Sequence, residues 1–369
     1  MIPLLLALLL LQAKPEKPRD ESVLVTVATD ARLPHLVVDG DGNAYVALVR
    51  NGNAELAIST DGGKTFAPPV LAVDLKKKDI GIMNRGPRVA VDRAKRIYVS
   101  APFENTLLLA VSADRGKTFS KPVVIPDVPD AVHATAAGAN DVHVAWVATT
   151  NNARSLLYAR FDAAGKRVGK PLTITGLTCE HCPPALAVDP AGHPVVAWRE
   201  SKPPRAVYLS RSADGGKSFA PATVLNSLET GLTECPQEAP AAAFSADGKT
   251  FGVAWMDRRD VERDADIYWA FGPPGKLSPD TDCLDDRRFN QRRPSLAIDG
   301  DGAVWCAWED GRLSTLRVFY TNSKTDANIA LGDAKEGPGS WPSIAAGGGK
   351  VAVAYQLAKD VGFRILVPR

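Results

Sequence analysis

The sequence predicts an all-β fold, a β-propeller of seven four-stranded blades, and three observations carry that expectation. Helical periodicity is nearly missing; short β-rich runs alternate with Gly, Pro, Asn and Asp. A two-strand unit recurs: PHLVVDGDGNAYVAL from Pro34, PRVAVDRAKRIYVSA from Pro87, PALAVDPAGHPVVAW from Pro184 and PSLAIDGDGAVWCAW from Pro294. Looser copies start at Pro240 and Pro342, and one without the proline starts at Ala131. Two further strands follow most copies, such as AELAIST and PPVLAV after the first. Seven copies about 50 residues apart, each of four antiparallel strands, have the period of propeller blades. The count falls to six if one weak copy is irregular.

Within each unit a proline opens a strand, an Asp-Gly type turn follows, and a second strand ends 14 residues after the proline. The last copy runs out of chain after a third strand, FRILVP. The orphan strand SVLVTVAT, residues 22–29, is expected to supply the missing fourth and close the ring, which removes exposed strand edges.

Of the 369 residues, 45% are hydrophobic and 23% charged, the composition of a soluble globular chain with a large core. A net charge of +2 gives no broad electrostatic case for nucleic acid or an anionic membrane. The ten residues Ile2 to Leu11 are too few to span a bilayer and fit the apolar region of a signal peptide, with Ala13 as the small residue before the cut. The expected organisation is a signal peptide over 1–13, a Pro- and charge-rich linker over 14–21 and a single propeller over 22–369. The mature protein is then a secreted or periplasmic monomer without a membrane span.

Three stretches punctuate the blades: STDGGKTF at 59–66, SADRGKTF at 112–119 and SADGGKSF at 212–219. Each falls between a third and a fourth strand. Asp61, Asp114 and Asp214 are expected to accept from backbone N–H groups two residues on, and Gly63, Gly116 and Gly216 to take positive φ. Phe66, Phe119 and Phe219 are expected to tuck under their hairpins. The pattern resembles the Asp-box, or bacterial neuraminidase repeat, of the sialidase superfamily, with Phe where that family usually has Trp. The resemblance implies a propeller but leaves activity open, because Asp-boxes also occur in proteins that are not sialidases.

The Asp-Gly turns share a face with these stretches, so the longer, charged loops lie on the other. The residue two before each blade's proline is expected to ring the channel mouth: Arg32, Arg85, Cys182, Glu238, Arg292 and Ser340, with Asp130 in the third blade. Loops after the second strands add Arg199, Glu200, Asp257, Arg258, Arg259, Glu309, Asp310 and Arg312. Guanidinium forks match carboxylate or phosphate geometry, so one reading is an anion clamp. The other is a rim of arginines paired with neighbouring carboxylates.

Sialidases hold a substrate carboxylate with three arginines and use an Asp acid/base and a Tyr nucleophile activated by a Glu. Arg32-Leu33-Pro34 looks like the family's first arginine motif. In chain order Arg32, Glu200 or Glu238, Arg258, Arg292 or Arg312, and Tyr355 resemble the family's set; the rim positions add Arg85 and Arg199 as further binding candidates. The resemblance makes Glu238 or Asp257 the acid/base candidate and Tyr355 the nucleophile candidate. No aspartate follows Arg32 at a matching place, which departs from the pattern. Two functions stay open: a glycoside hydrolase acting on an acidic, sialic-acid-like glycan, and a non-catalytic propeller gripping a glycan or protein. Neither requires a cofactor.

Cys179, His181 and Cys182 in LTCEHCPP and Cys235 in LTECPQE fall on neighbouring blades. A Cys182–Cys235 disulfide is one expectation; a zinc or copper(I) site of Cys179, His181, Cys182 and Cys235 is the alternative. Cys306, in VWCAW, reads as a core thiol.

Overall fold

The computed structural model describes residues 22–78, 85–150, 153–228, 230–259, 264–283, 289–313, 315–325 and 327–367; the expected signal peptide and linker lie outside these. The chain opens with β1 (Val25–Ala28). Blade one follows as β2 (Ala31–Val38), β3 (Ala44–Arg50), β4 (Asn53–Ser59) and β5 (Val70–Val73). Blade two is β6 (Arg88–Val91), β7 (Ile97–Phe103), β8 (Thr106–Ser112) and β9 (Val123–Ile125). Blade three is β10 (His133–Ala137), β11 (Asp141–Thr150), β12 (Ala153–Asp162) and β13 (Arg167–Thr175). Blade four is β14 (Ala185–Val188), β15 (Pro194–Arg199), β16 (Val207–Arg211) and β17 (Thr223–Val224). Blade five is β18 (Ala241–Phe244), β19 (Phe251–Asp257), β20 (Asp266–Gly272) and β21 (Thr281–Asp282). Blade six is β22 (Gln291–Ile298), β23 (Val304–Asp310), β24 (Arg317–Asn322) and β25 (Ile329–Ala330). Blade seven is β26 (Gly339–Gly347), β27 (Lys350–Leu357) and β28 (Asp360–Leu366), completed by β1 on its outer edge.

The blade count is therefore seven, and the orphan strand closes the ring by antiparallel pairing of Val25 opposite Phe363. Each blade buries both faces against its neighbours. Seven apolar clusters result, each drawing on two adjacent blades. This explains why second strands such as PVVAWR and VWCAWED are buried along their whole length and do not alternate.

The first strand of each blade faces the axis, and its free edge would leave N–H groups unpaired. The residue after the proline solves this in three blades. Ser295 Oγ accepts from Ile344 N at 3.0 Å, Ser343 Oγ from Leu36 N at 2.9 Å, and His35 Nδ1 from Val89 N at 3.2 Å. Blades six, seven, one and two are thereby laced around the channel.

At the turn end, Asp39, Asp92 and Asp299 anchor an aromatic group six residues on. Tyr45 Oη donates at 2.9 Å, Tyr98 Oη at 3.0 Å and Trp305 Nε1 at 2.8 Å. The Ser-x-Asp stretches do lie on this face: Lys350 Nζ, beside the blade-seven turn, donates to Gly62 O at 3.2 Å. Asp61 and Asp214 accept three and four residues on, and Asp114 four on, not two. Asp214 Oδ1 accepts from Lys217 N and Ser218 N, both at 2.9 Å, and Asp61 does the same with Lys64 and Thr65. The loop is wider than a simple Asx turn because Ser212 Oγ also accepts from Gly216 N at 2.8 Å.

The glycines have positive φ, as expected, and a second constraint besides. A Cβ on Gly216 (φ 82°) would meet Tyr158 Oη of blade three at 2.0 Å. The phenylalanines also reach across. Phe66 packs edge-on to Phe363 of blade seven at 5.1 Å, and Phe219 to Tyr158 at 4.9 Å. These loops staple each blade to the one before it, a larger role than locking a hairpin.

Candidate functional site

The channel encloses about 840 Å³ and is walled by the first strands. In blades one, six and seven the pairing of first and second strands slips between Arg32 and His35, Arg292 and Ser295, and Ser340 and Ser343. At each slip one residue is left-handed: Leu33 at φ 53°, Arg293 at 56° and Trp341 at 54°. Such a bulge re-aims the side chains around it. The wall accordingly takes the residue directly before each proline, namely Leu33, Gly86, Pro183, Ala239, Arg293 and Trp341. The expected ring of Arg32, Arg85, Cys182, Glu238, Arg292 and Ser340 is displaced from the wall by one position. Arg32 and Arg85 are half-buried and Arg292 is exposed.

A cluster of charge beside the channel wall joins blades five, six and seven. Glu309, at the end of β23, is fully buried and ion-paired with Arg293 Nη1. Its Oε1 accepts from Trp341 N at 2.8 Å, and Arg292 Nε lies 3.4 Å from its Oε2. The Arg293 guanidinium lies over the Trp341 ring at 3.9 Å, a cation–π contact. Glu238 is 4% exposed, with Oε1 3.9 Å from Arg293 Nε. Glu238 Oε2 and Arg293 Nε are both buried and have no hydrogen-bond partner in the protein. Burial pushes the Glu238 carboxyl up to about 7; Arg293 pulls it down, and the Glu309 charge adds to the rise.

Farther in, Arg88 lines the wall, and burial lowers it only to about 10, so it stays a cation at neutral pH. Burial and Arg88 push His35 well below its ordinary value and His133 to about 3, which keeps both imidazoles neutral. His133 Nε2 contacts Ser100 Oγ at 3.0 Å, and Ser100 Oγ contacts Thr135 Oγ1 at 2.7 Å. Arg88 and the neutral His35 thus line the channel, while the Arg293 charge is met by Glu309.

The other sequence candidates divide differently. Asp257 is buried and saturated: Oδ2 accepts from Asn226 Nδ2 at 2.6 Å and Arg259 Nε at 2.9 Å, and Oδ1 from Arg258 N at 2.8 Å. It braces the end of β19 and is not poised for proton transfer. Tyr355 is 1% exposed within the blade six–seven core, and its Oη accepts from Arg364 Nε at 2.9 Å. A nucleophile must reach solvent or substrate, so Tyr355 is a packing residue. Arg199 is fully buried and donates to Arg205 O at 2.8 Å and Met256 O at 2.5 Å. Arg312 pairs with Asp310 at 2.7 Å and stacks on Phe319 at 4.6 Å. Arg258 is exposed at the end of β19. Asp130 pairs with Arg154 at 2.5 Å.

Glu238 is among the residues the sequence offered; Arg293, Trp341 and Arg88 are not. The doublet Arg292-Arg293 before Pro294 was visible; which of the two faces the axis is decided by the bulge.

The cysteines converge. Cys179 Sγ is 2.8 Å and Cys182 Sγ 3.7 Å from Cys235 Sγ, and all three sulfurs lie within 4.8 Å of one another. All five cysteines are free, and the closer pair is Cys179–Cys235 in place of the expected Cys182–Cys235. His181 lies outside the sulfur cluster; Nε2 is 3.9 Å from Asp130 Oδ1 and Nδ1 3.9 Å from Glu180 Oε1.

The fold and site define a seven-bladed propeller whose mouth holds a protonatable carboxyl beside an arginine stacked on tryptophan. No protein-family model matches the chain, and no curated protein matches it in sequence. Solved structures do match its fold. A PL25 polysaccharide lyase, an ulvan lyase bound to a GlcA(1-4)Rha3S unit, aligns with TM-score 0.61 at 9% identity over 94% of this chain and 96% of its own. The intramolecular trans-sialidase of Ruminococcus gnavus, bound to oseltamivir carboxylate, aligns with TM-score 0.52 at 12% identity over 76% and 90%. The α-L-arabinanase of Penicillium chrysogenum, bound to arabinobiose, aligns with TM-score 0.50 at 13% identity over 94% and 98%. At these identities the likeness is one of fold.

Proposed function

We propose that this protein is a carbohydrate-active propeller that takes an acidic sugar at its channel mouth, with Arg293 binding the anionic group and Glu238 transferring the proton. The observation that carries the reading is the pair of buried atoms without protein partners, Glu238 Oε2 and Arg293 Nε, in one cluster. Buried polar atoms left unpaired by the protein mark a place built for a ligand or water. A carboxyl held near 7 sits where a general acid works best at neutral pH. Glu238 then passes its proton, through a water at its buried Oε2, to the leaving glycosidic oxygen as a second water attacks the anomeric carbon and releases a proton, while Glu309 holds Arg293 in position through their ion pair.

Two solved relatives in fold support the acidic substrate class, since one is bound to a glucuronate-containing unit and another is a trans-sialidase. The Ser-x-Asp-x-Gly-x-[Thr/Ser]-Phe loops support placing the chain among Asp-box propellers of the sialidase superfamily, and the apolar N-terminal stretch supports export. Tyr355 takes no part in the chemistry.

The test is turnover of fluorogenic sialosides, aryl uronides and neutral glycosides by the wild type, Glu238→Gln and Arg293→Ala. Turnover of an acidic substrate is expected, with kcat reduced about 10²- to 10⁴-fold in Glu238→Gln at similar KM. Arg293→Ala should raise KM. Turnover that is indifferent to Glu238→Gln, or confined to neutral glycosides, would refute the reading. Tight binding of acidic sugars without turnover would favour the binding-module function.

A further inference from the structure

We propose that Cys179, Cys182 and Cys235 hold one thiophilic metal ion, zinc(II) or copper(I), at the channel-mouth face between blades four and five. This is independent of the sugar reading above.

Three thiols come within 4.8 Å of one another, from two segments more than 50 residues apart in sequence. A disulfide joins two sulfurs at about 2.05 Å and leaves the third packed against the bond. A metal ion engages all three. With zinc–sulfur bonds of about 2.3 Å, tetrahedral ligands sit about 3.8 Å apart. Cys182 and Cys235 are already 3.7 Å apart; Cys179 and Cys235, at 2.8 Å, need to open by about 1 Å. Cys235 lies in a loop between strands, where such a shift is easily absorbed.

The surroundings supply the matching charge. Three thiolates around a divalent ion carry one net negative charge, and around a monovalent ion two. Arg205 Nη1 lies 3.9 Å from Cys179 Sγ. Arg199, whose charge acts on Cys182, is fully buried, and its Nε has no hydrogen-bond partner. Among the described residues no carboxylate comes within ion-pair distance of Arg199. A buried guanidinium that meets only carbonyl groups requires an anion nearby. A thiolate–metal centre beside it provides one, and the arginines in turn favour the thiolate forms.

The backbone is preset for the cluster. Cys179 N donates to Arg199 O at 2.9 Å and Cys182 N to Cys179 O at 3.4 Å, while Arg205 Nε donates to Thr233 O at 3.3 Å, tying the Cys235 loop to blade four. Binding of zinc(II) releases the thiol protons and leaves a fourth position. His181, half-exposed and on the same loop as Cys179 and Cys182, or a water can take it. A closed four-ligand site favours zinc, whereas three sulfurs alone suit copper(I).

The test uses the full chain purified without chelator and under reducing conditions. Elemental mass spectrometry should find one equivalent of zinc or copper, which also decides between the two ions. Metal-free, reduced protein should take up zinc in competition with a chromophoric chelator, and cobalt(II) should give a thiolate-to-cobalt charge-transfer band. Both signals should vanish in Cys235→Ser. Should that variant fail to fold by circular dichroism, alkylation of the wild type decides. Bound metal should shield Cys179, Cys182 and Cys235 selectively from iodoacetamide. Reduced, folded protein that binds neither zinc nor copper(I) overturns the proposal. So does a disulfide of Cys235 with Cys179 or Cys182 that persists with no metal binding after its reduction.

Discussion

Replacing Glu238 by Gln should make the protein more stable at alkaline pH than the wild type, and less so at acidic pH. The native carboxyl is raised from an ordinary 4.5 to about 7, chiefly by burial. Between these values the folded state holds a proton that the unfolded state has released. Unfolding free energy therefore falls as pH rises through this window, the reverse of a salt-bridged carboxylate. The rise of about 2.5 units corresponds to about 3 kcal/mol once both forms are ionised. Between about pH 5 and about pH 8 the wild type should lose about 2 kcal/mol from this group alone. Gln keeps the shape and hydrogen-bonding capacity without the charge. Urea unfolding of both proteins at the two pH values gives the difference directly. A wild-type-minus-variant difference that does not change with pH would refute the reasoning, because Glu238 would then not be held protonated by its surroundings.

Two further expectations concern the scaffold. Gly216→Ala should cost about 2–3 kcal/mol in urea unfolding, whereas Gly192→Ala should cost only about 1 kcal/mol. Both positions have φ above 80°, but only at Gly216 does the new methyl group strike Tyr158. Equal losses would show that the contact between blades three and four carries no weight. Val27→Asp, in the closing strand, should cost about 2–4 kcal/mol and produce soluble oligomers by light scattering, because it frees the edge of β28. A variant as stable and monodisperse as the wild type would mean that ring closure at this seam is dispensable.

The blades could be read because each two-strand unit carries its own turn chemistry and a second strand that is apolar throughout, as in VWCAW. Closure by residues 22–29 followed from the missing fourth strand after FRILVP. The anchor pairs Asp39–Tyr45, Asp92–Tyr98 and Asp299–Trp305 were present as a repeated Asp and aromatic six residues apart, and could have been found.

The mouth was read one residue out of register. The position two before each proline holds Arg32, Arg85 and Arg292 in three of the blades. The bulges at Leu33, Arg293 and Trp341 put ordinary side chains into left-handed backbone, and nothing in those residue types announces it. Tyr355 and Asp257 were misjudged for another reason. A strand's apolar run does not reveal whether its polar residue meets the channel or an internal partner such as Arg364 or Arg259. Glu238 was placed near the mouth, but its protonatable state comes from burial among blades five and six, which only the assembled ring shows.

Glu238 and Arg293 are proposed as the recognition point for an acidic sugar. Carbon-detected NMR of the Glu238 carboxyl, assigned with Glu238→Gln and titrated with and without glucuronic and sialic acids, tests it most directly. A midpoint of about 7 is expected in the free protein, with a shifted resonance when an acidic sugar, but not glucose, is added. A midpoint in the ordinary glutamate range of about 4.3, with no response to either sugar acid, would contradict it.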